Sequence, residues 1–327
     1  MRYFYNVFSR KENVMIRFLI AVLLFLPFSL GRAAEGDIRL VFGGDVTLAA
    51  WYPEVVPDAR DHEWPFARLQ ELFRSADVVM VNCETAITRS EKREPKQFNF
   101  KMDPDLVSVF PKSGISLVTL ANNHVYDYGA EGLRDTLAYL DQAGVEHVGA
   151  GMTLAEARKP VVRDIKGKKF TFLGYGNYSA ATEKGPGTAY RHPEHVAEDV
   201  RLAKKNGADI VIVNFHWGLE RATEPTERDR ALARLAIDSG ADVIVGHHPH
   251  VLQPVEIYRG KVIAYSLGNF VFGGNRRAGK NSALLEILVV PSGGIAHRLL
   301  PIRIDTAETR YQPYLLDPAT TLADRSN

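Results

Sequence analysis

The chain has a single cysteine, Cys83, in 327 residues. No intrachain disulfide can form, and a thiolate metal cluster is excluded for the same reason. Any metal must be held by His, Asp, Glu or Asn. An excess of charge is also lacking: 40 Lys and Arg stand against 39 Asp and Glu, a formal net charge of +1. That balance excludes a polycation that coats nucleic acid, so no nucleic-acid partner is expected. There is no internal repeat, no low-complexity segment and no apolar run of the roughly 20 residues a spanning helix needs. The longest such run, FLIAVLLFLPFSL from Phe18 to Leu30, falls short of it.

That run has another reading. Arg2, Arg10, Lys11 and Arg17 precede it, Pro27 lies near its end, and the small residues of GRAAEG follow. This is the basic, apolar, small-residue order of a secretory signal. Residues 1–34 are therefore expected to be a signal peptide cleaved around Ala33 or Ala34, with an uncleaved N-terminal anchor as the alternative; Met15 is a second candidate start. The expected location is exported, in the periplasm or cell envelope.

What remains is 46% hydrophobic and 24% charged over the whole chain, an ordinary globular mix. From Asp37 onward, β-branched runs alternate with helical stretches. IRLVFGGD, DVVMVNCE, ISLVTLANNH, ADIVIVNFHWG and ADVIVGHHPH read as strands. Residues 64–74 and DPDLVSVFPKSG read as short helical segments. GAEGLRDTLAYLDQAG carries Leu133, Leu137 and Leu140 at helical spacing, and TERDRALARLAIDSG reads as a helix capped by Thr226 and stopped at Gly240. Two hairpins are expected, one turning at Lys166–Lys168 and one at Arg259–Gly260. The repeated β-α-β order argues for a layered α/β domain, assigned to residues 37–303, with residues 304–327 as a C-terminal extension.

The polar residues of interest follow the strands. Asp45 follows IRLVFGG, Glu84 follows DVVMVNC, and Asn122, Asn123 and His124 follow ISLVTLA. His216 follows ADIVIVNF, and His247, His248 and His250 follow ADVIVG. Parallel strands place their carboxyl ends on one rim, where open α/β sheets bind ligands. Five strands thus deliver carboxylate, amide and imidazole groups to one crevice. Mixed oxygen and imidazole donors suit Zn, Mn, Fe or Ni better than Ca or Mg. Such sets occur at hydrolytic sites where two ions about 3.5–4 Å apart clamp an in-line attack on phosphorus. One or two divalent transition-metal ions are the expected cofactor.

The segments GGDVTL, VNCETAIT, LANNHVYDYGAEGLRDTL, FHWGLE, GHHPHVLQPVEIYRGK and YSLGNFVF resemble the poly-γ-glutamate capsule synthesis protein family, CapA. It is a branch of the calcineurin-like metallophosphoesterases. The resemblance spans about Arg39 to Gly273. It implies a metallophosphoesterase-like four-layer α/β/β/α sandwich, built as a single domain. It also implies metal ligands at Asp45, Glu84, Asn123, His216, His248 and His250. His124 would donate a proton to the leaving group or steady its charge, and Asp127 would orient His124. His247, Asn269, Arg276 and Arg277 are the expected substrate contacts, and Trp217 and Glu220 can line the pocket, although packing is the simpler role for Trp217. One departure stands out. The superfamily's Asp-x-His is Asp45-Val46-Thr47 here, so one metal position is a histidine short.

Gly274 to Asn281 approaches a phosphate-binding loop, but Asn281 occupies the Ser/Thr position and SALLEILVV reads as a strand where a helix is needed. Nucleotide binding is not expected there. Arg276, Arg277 and Lys280 form a basic cluster that can attract a polyanion. Two functions are consistent with these residues. One is an exported metal-dependent hydrolase of the phosphoesterase kind, using a metal-activated water. The other is a non-catalytic accessory protein that binds an anionic polymer and helps its export, alongside capsule synthesis proteins at the membrane.

Overall fold

The computed structural model describes residues 36–49, 52–58, 61–273 and 279–317. The expected signal segment, Arg276 and Arg277 lie outside the described residues.

Two sheets carry the fold. In the first, the strands Ile38–Val46, Val78–Cys83, Leu117–Thr119 and Glu146–Val148 run parallel and adjacent. Asn281–Val289 and Ile295–Arg303 extend it antiparallel from the other side of the first strand, and Tyr314–Leu315 closes the edge. In the second sheet, Lys168–Tyr175, Ile210–His216, Val243–His247 and Lys261–Ala264 are parallel. Each edge of this sheet is a hairpin arm: Val161–Ile165 turns into Lys168–Tyr175, and Val255–Tyr258 into Lys261–Ala264, at the two turns expected from sequence.

Alternation along each strand explains why the sheets stack. Leu40, Phe42, Val78 and Met80 on one sheet meet Phe170, Phe172, Ile210, Ile212, Val243 and Val245 on the other in a shared apolar layer. The intervening residues face outward and are covered by helices. Val41, Val79, Val81 and Val118 pack under Phe66, Phe73, Phe110, Leu133 and Leu140. Val211, Val213, Phe215 and Ile244 pack under Val196, Val200, Leu232 and Ala236. The result is the expected four-layer α/β/β/α sandwich. Each large apolar side chain in these layers contributes about 1.5–3 kcal/mol of burial. Among the described residues no helix is long and apolar enough to cross a membrane.

The helix Glu227–Asp238 begins at Thr226, whose side chain and that of Asp229 form a reciprocal capping box. Residues 64–74 are tighter than a single α-helix: Trp64–Leu69 is a 3-10 segment, and Gln70–Arg74 continues as α. The third strand is shorter than its apolar run suggests. After Thr119 the chain turns, because Asn122 Oδ1 accepts the backbone N–H groups of His124 at 3.0 Å and Val125 at 2.9 Å. Residues 304–317 run back along the first sheet, with Tyr311 buried edge-on against Tyr52 at 5.5 Å.

A candidate metal centre between the two sheets

The same alternation builds the site. On three strands the residues facing the other sheet are apolar until the last rungs, where they turn polar. The rows run Val78, Met80, Asn82, Glu84; Ile210, Ile212, Asn214, His216; and Val243, Val245, His247. All of these polar residues are buried. The first strand needs a further device. Its register against Val78–Cys83 shifts between Phe42 and Asp45, a bulge that redirects Asp45. Gly44 permits it: a Cβ there would stand 1.9 Å from the Gly268 carbonyl oxygen. The loop after Val243–His247 is bent sharply, with His248 at φ +98° and His250 at φ +60°. Non-glycine residues adopt such φ uncommonly, and they cluster at functional sites.

All six expected ligand residues meet here. Glu84, His216 and His248 each present a ligand atom within 4.8 Å of the others, and so do Asp45, Glu84 and His250. Donors around one ion, at about 2.0–2.3 Å each, can be no further apart than about 4.6 Å. Both sets are therefore close to coordination spacing, and Glu84 belongs to both. Asn123 joins the first set, its Oδ1 lying 2.6 Å from His216 Nε2. Glu84 Oε1 and His248 Nδ1 are buried without a hydrogen-bond partner, and Asp45 Oδ2 faces His250 Nδ1 at 3.1 Å. Each such orphan costs about 1–3 kcal/mol. Buried carboxylate and imidazole lone pairs that converge in this way fit a divalent transition metal.

The electrostatics are those of a cluster awaiting a cation. Burial works to raise the Asp45 carboxyl, but His247 and His250 outweigh it and hold Asp45 well below the usual carboxylate range. Glu84 moves the other way, pushed well above its ordinary value by burial and by the negative charge of Asp45. Burial works to lower His250, yet Glu84 and Asp45 prevail and push it up to about 9. His248 is pushed down to about 4 by burial and by His250, and His216 well below its ordinary value by burial and by His248.

The remaining expected residues divide. His124 Nδ1 lies 2.8 Å from Asp127 Oδ2, which also accepts the Phe100 N–H at 2.5 Å. The Phe100 ring stacks on His124 at 4.0 Å between centroids. Asp127 thus orients His124 as expected, while burial lowers the His124 pKa against the opposing pull of Asp127. Asn269 sits behind the ligands, its Oδ1 2.9 Å from His250 Nδ1. His247 is buried beside Asp45, with Nδ1 3.5 Å from Asp45 Oδ1. Both sit among the ligand residues. Asn122 is structural, donating to Asn82 Oδ1 at 3.0 Å and to the Cys83 carbonyl at 2.8 Å. Trp217 is fully buried and donates to the Tyr265 carbonyl. Glu220 is exposed. Cys83 points into the core, where burial and Glu84 raise its thiol to about 12.

Three contributors were not anticipated. Asn82 Nδ2 donates to Asp45 Oδ1 at 2.8 Å and to Glu84 Oε2 at 3.2 Å, holding the two carboxylates together. Its place two residues before Glu84 on one strand was the available signal. Lys96 pairs with Asp127 and donates to the Asn123 carbonyl at 2.6 Å. Tyr178 lies with its hydroxyl 3.2 Å from His248 Nε2. Lys96, Tyr178 and Asn123 share one wall of a cleft of about 600 Å³, with Glu94 and Tyr126 also on its surface.

Comparison with known proteins places the chain among capsule synthesis proteins. Residues 39–274 match the family model described as bacterial capsule synthesis protein PGA_cap. The chain is 34% identical over 317 residues to the PGA biosynthesis protein CapA of Bacillus subtilis, covering 91% of this chain and 83% of that protein. It is also 34% identical over 286 residues to a probable polyglutamine synthesis accessory protein of Mycobacterium tuberculosis, covering 80% and 75% of the two chains. Among solved structures, a 5'-nucleotidase from Candida albicans aligns with TM-score 0.48 and 13% identity, over 84% of this chain and 54% of that one.

Proposed function

The chain belongs to the bacterial capsule synthesis protein family PGA_cap, and from that premise we propose that it is an exported, metal-dependent hydrolase that cleaves a phosphoester in capsule or poly-γ-glutamate synthesis. The observation that carries this reading is the sharing of Glu84 between two converging donor sets. Asp45, Glu84 and His250 would hold one cation, and Glu84, Asn123, His216 and His248 a second. Bound there, the metal supplies Lewis acidity and an activated water.

The chain's own residues do the rest. Asn82 holds the two carboxylates in register, and Asn269 fixes the ring of His250. Asp127 accepts the Nδ1 proton of His124, leaving Nε2 to serve the leaving group. As water oxygen bonds to phosphorus and the ester P–O bond breaks, His124 in its doubly protonated form, which the Asp127 carboxylate stabilises against burial, would give its Nε2 proton to the departing oxygen and keep the Nδ1 proton hydrogen-bonded to Asp127. The basic N-terminal region and apolar run support export toward synthesis proteins at the membrane. N-terminal sequencing from the native host checks this; a cytosolic chain beginning at Met1 or Met15 counts against it.

The main test compares two histidines. His124→Ala should keep its metal and lose roughly 10²–10⁴-fold in rate, the usual weight of a general acid. His216→Ala should lose both metal and rate. Full activity in His124→Ala would overturn its role. One feature favours the accessory reading: Thr47 stands where the superfamily carries a histidine, so the Asp45 set is one imidazole short. Wild type that binds poly-γ-glutamate, yet hydrolyses no phosphoester with Mn, Zn, Fe or Ni, would establish that alternative.

A further inference from the structure

We propose that Tyr178 is a substrate-contacting residue, donating a hydrogen bond to an anionic oxygen of the ligand at the position held by Glu84, Asn123, His216 and His248. The inference rests on the metal-dependent reading above and adds a residue to it.

The argument starts from His248. One of its ring nitrogens, Nδ1, is buried without a hydrogen-bond partner, and the residue belongs to the Glu84–His216–His248 donor set. Its other nitrogen, Nε2, is 3.2 Å from the Tyr178 hydroxyl. A metal-ligating histidine is a neutral imidazole that offers one lone pair and donates its other N–H to a supporting acceptor. Taking the unpartnered Nδ1 as the ligand atom, the proton sits on Nε2 and the Tyr178 oxygen accepts it. A hydroxyl that accepts in this way still has its own proton to give.

The surroundings indicate where that proton goes. Tyr178 lines the cleft of about 600 Å³ beside Asn123, so the phenol stands between a metal ligand and the open volume. Among the described residues, His248 is the one hydrogen-bond partner of the Tyr178 hydroxyl. The positive φ of His248, +98°, is the backbone conformation that accompanies this orientation of the ring. A donor fixed beside the ligand oxygens is preorganised for the charge of a phosphoryl group. The ligand class is accordingly a phosphate or phosphate ester, bound with one oxygen toward Tyr178.

The experiment separates this role from simple support of His248. Wild type and Tyr178→Phe are titrated with Mn(II), and inorganic phosphate binding is then measured by equilibrium dialysis at saturating Mn(II). Phenylalanine keeps the ring and removes only the hydroxyl. The phosphate Kd should rise roughly 10- to 100-fold in the variant, the weight of one hydrogen bond to a charged oxygen. Unchanged phosphate binding at saturating Mn(II), whatever happens to Mn(II) affinity, would make Tyr178 a support for His248 alone and overturn the proposal. Wild type that takes up no Mn(II), or takes it up and binds no phosphate, would instead overturn the underlying reading, and this inference with it.

Discussion

The strand Val243–His247 has two differently finished ends. At its start stands Asp242, buried and fully partnered. Its Oδ2 accepts from Lys204 at 2.7 Å and from the Val211 N–H at 2.9 Å, and its Oδ1 accepts from Lys261 at 2.6 Å. At the other end, both ring nitrogens of His247, Nδ1 of His248 and Glu84 Oε1 opposite have no hydrogen-bond partner, and Asp45 Oδ2 faces His250 Nδ1 at 3.1 Å. The two ends share a strand, a depth of burial and a density of charge. They differ in closure. A carboxylate that the chain satisfies itself is there for stability. Orphans costing about 1–3 kcal/mol each persist where something outside the chain completes them.

Glu84→Gln tests the open end most severely. It removes the one carboxylate common to both donor sets, so metal uptake should fall by more than about 100-fold, beyond the loss expected for a supporting residue. The metal-free protein should melt no lower than wild type, because an acid already driven toward its neutral form is exchanged for an uncharged isostere. Metal content measured beside calorimetric melting checks both halves. A large drop in melting temperature would make Glu84 as structural as Asp242 and erase the contrast.

Asp242→Ala probes the closed end. It strands two ammonium groups, both part-exposed, and one buried N–H. A loss of about 2–3 kcal/mol in urea unfolding is expected, with metal affinity untouched. Altered metal affinity would show that the two ends are coupled through the strand.

The effect sharpest in sign is pH dependence. His250 is raised from 6.5 to about 9 before a cation binds. Its contribution to the stability of the metal-free chain is complete below about pH 6.5 and lost as pH rises through about 9. Metal binding must displace that proton, so affinity should rise with pH, roughly tenfold per unit for one proton released, and level off near 9. Calorimetry in buffers of different ionisation enthalpy counts the protons. Affinity that falls with rising pH would exclude His250 as a ligand.

Much of this was legible before the fold. β-branched runs followed by Asp45, Glu84, Asn123 and His216 placed ligand types at strand ends, and parallel strands bring such ends to one rim. The N-cap at Thr226 and both hairpin turns were readable because they depend on neighbouring residues. Asn269 and His247 were expected to contact substrate, and the fold sets both among the candidate metal ligands, a placement that depends on which neighbour takes each side chain. Lys96 and Tyr178 gave no signal, since each lies in an irregular segment more than 25 positions from the residue it touches.

By itself, then, the sequence determined the elements, the layered architecture and the ligand types. Those follow from local periodicity and from chirality, which act over a few residues. Tertiary structure alone decided which donors share Glu84, which histidine nitrogen is left unpartnered, and which polar groups are closed by the chain. These are matters of ångström-scale distance between residues far apart in sequence. They are resolved only when the two sheets pack and water leaves the space between their last rungs.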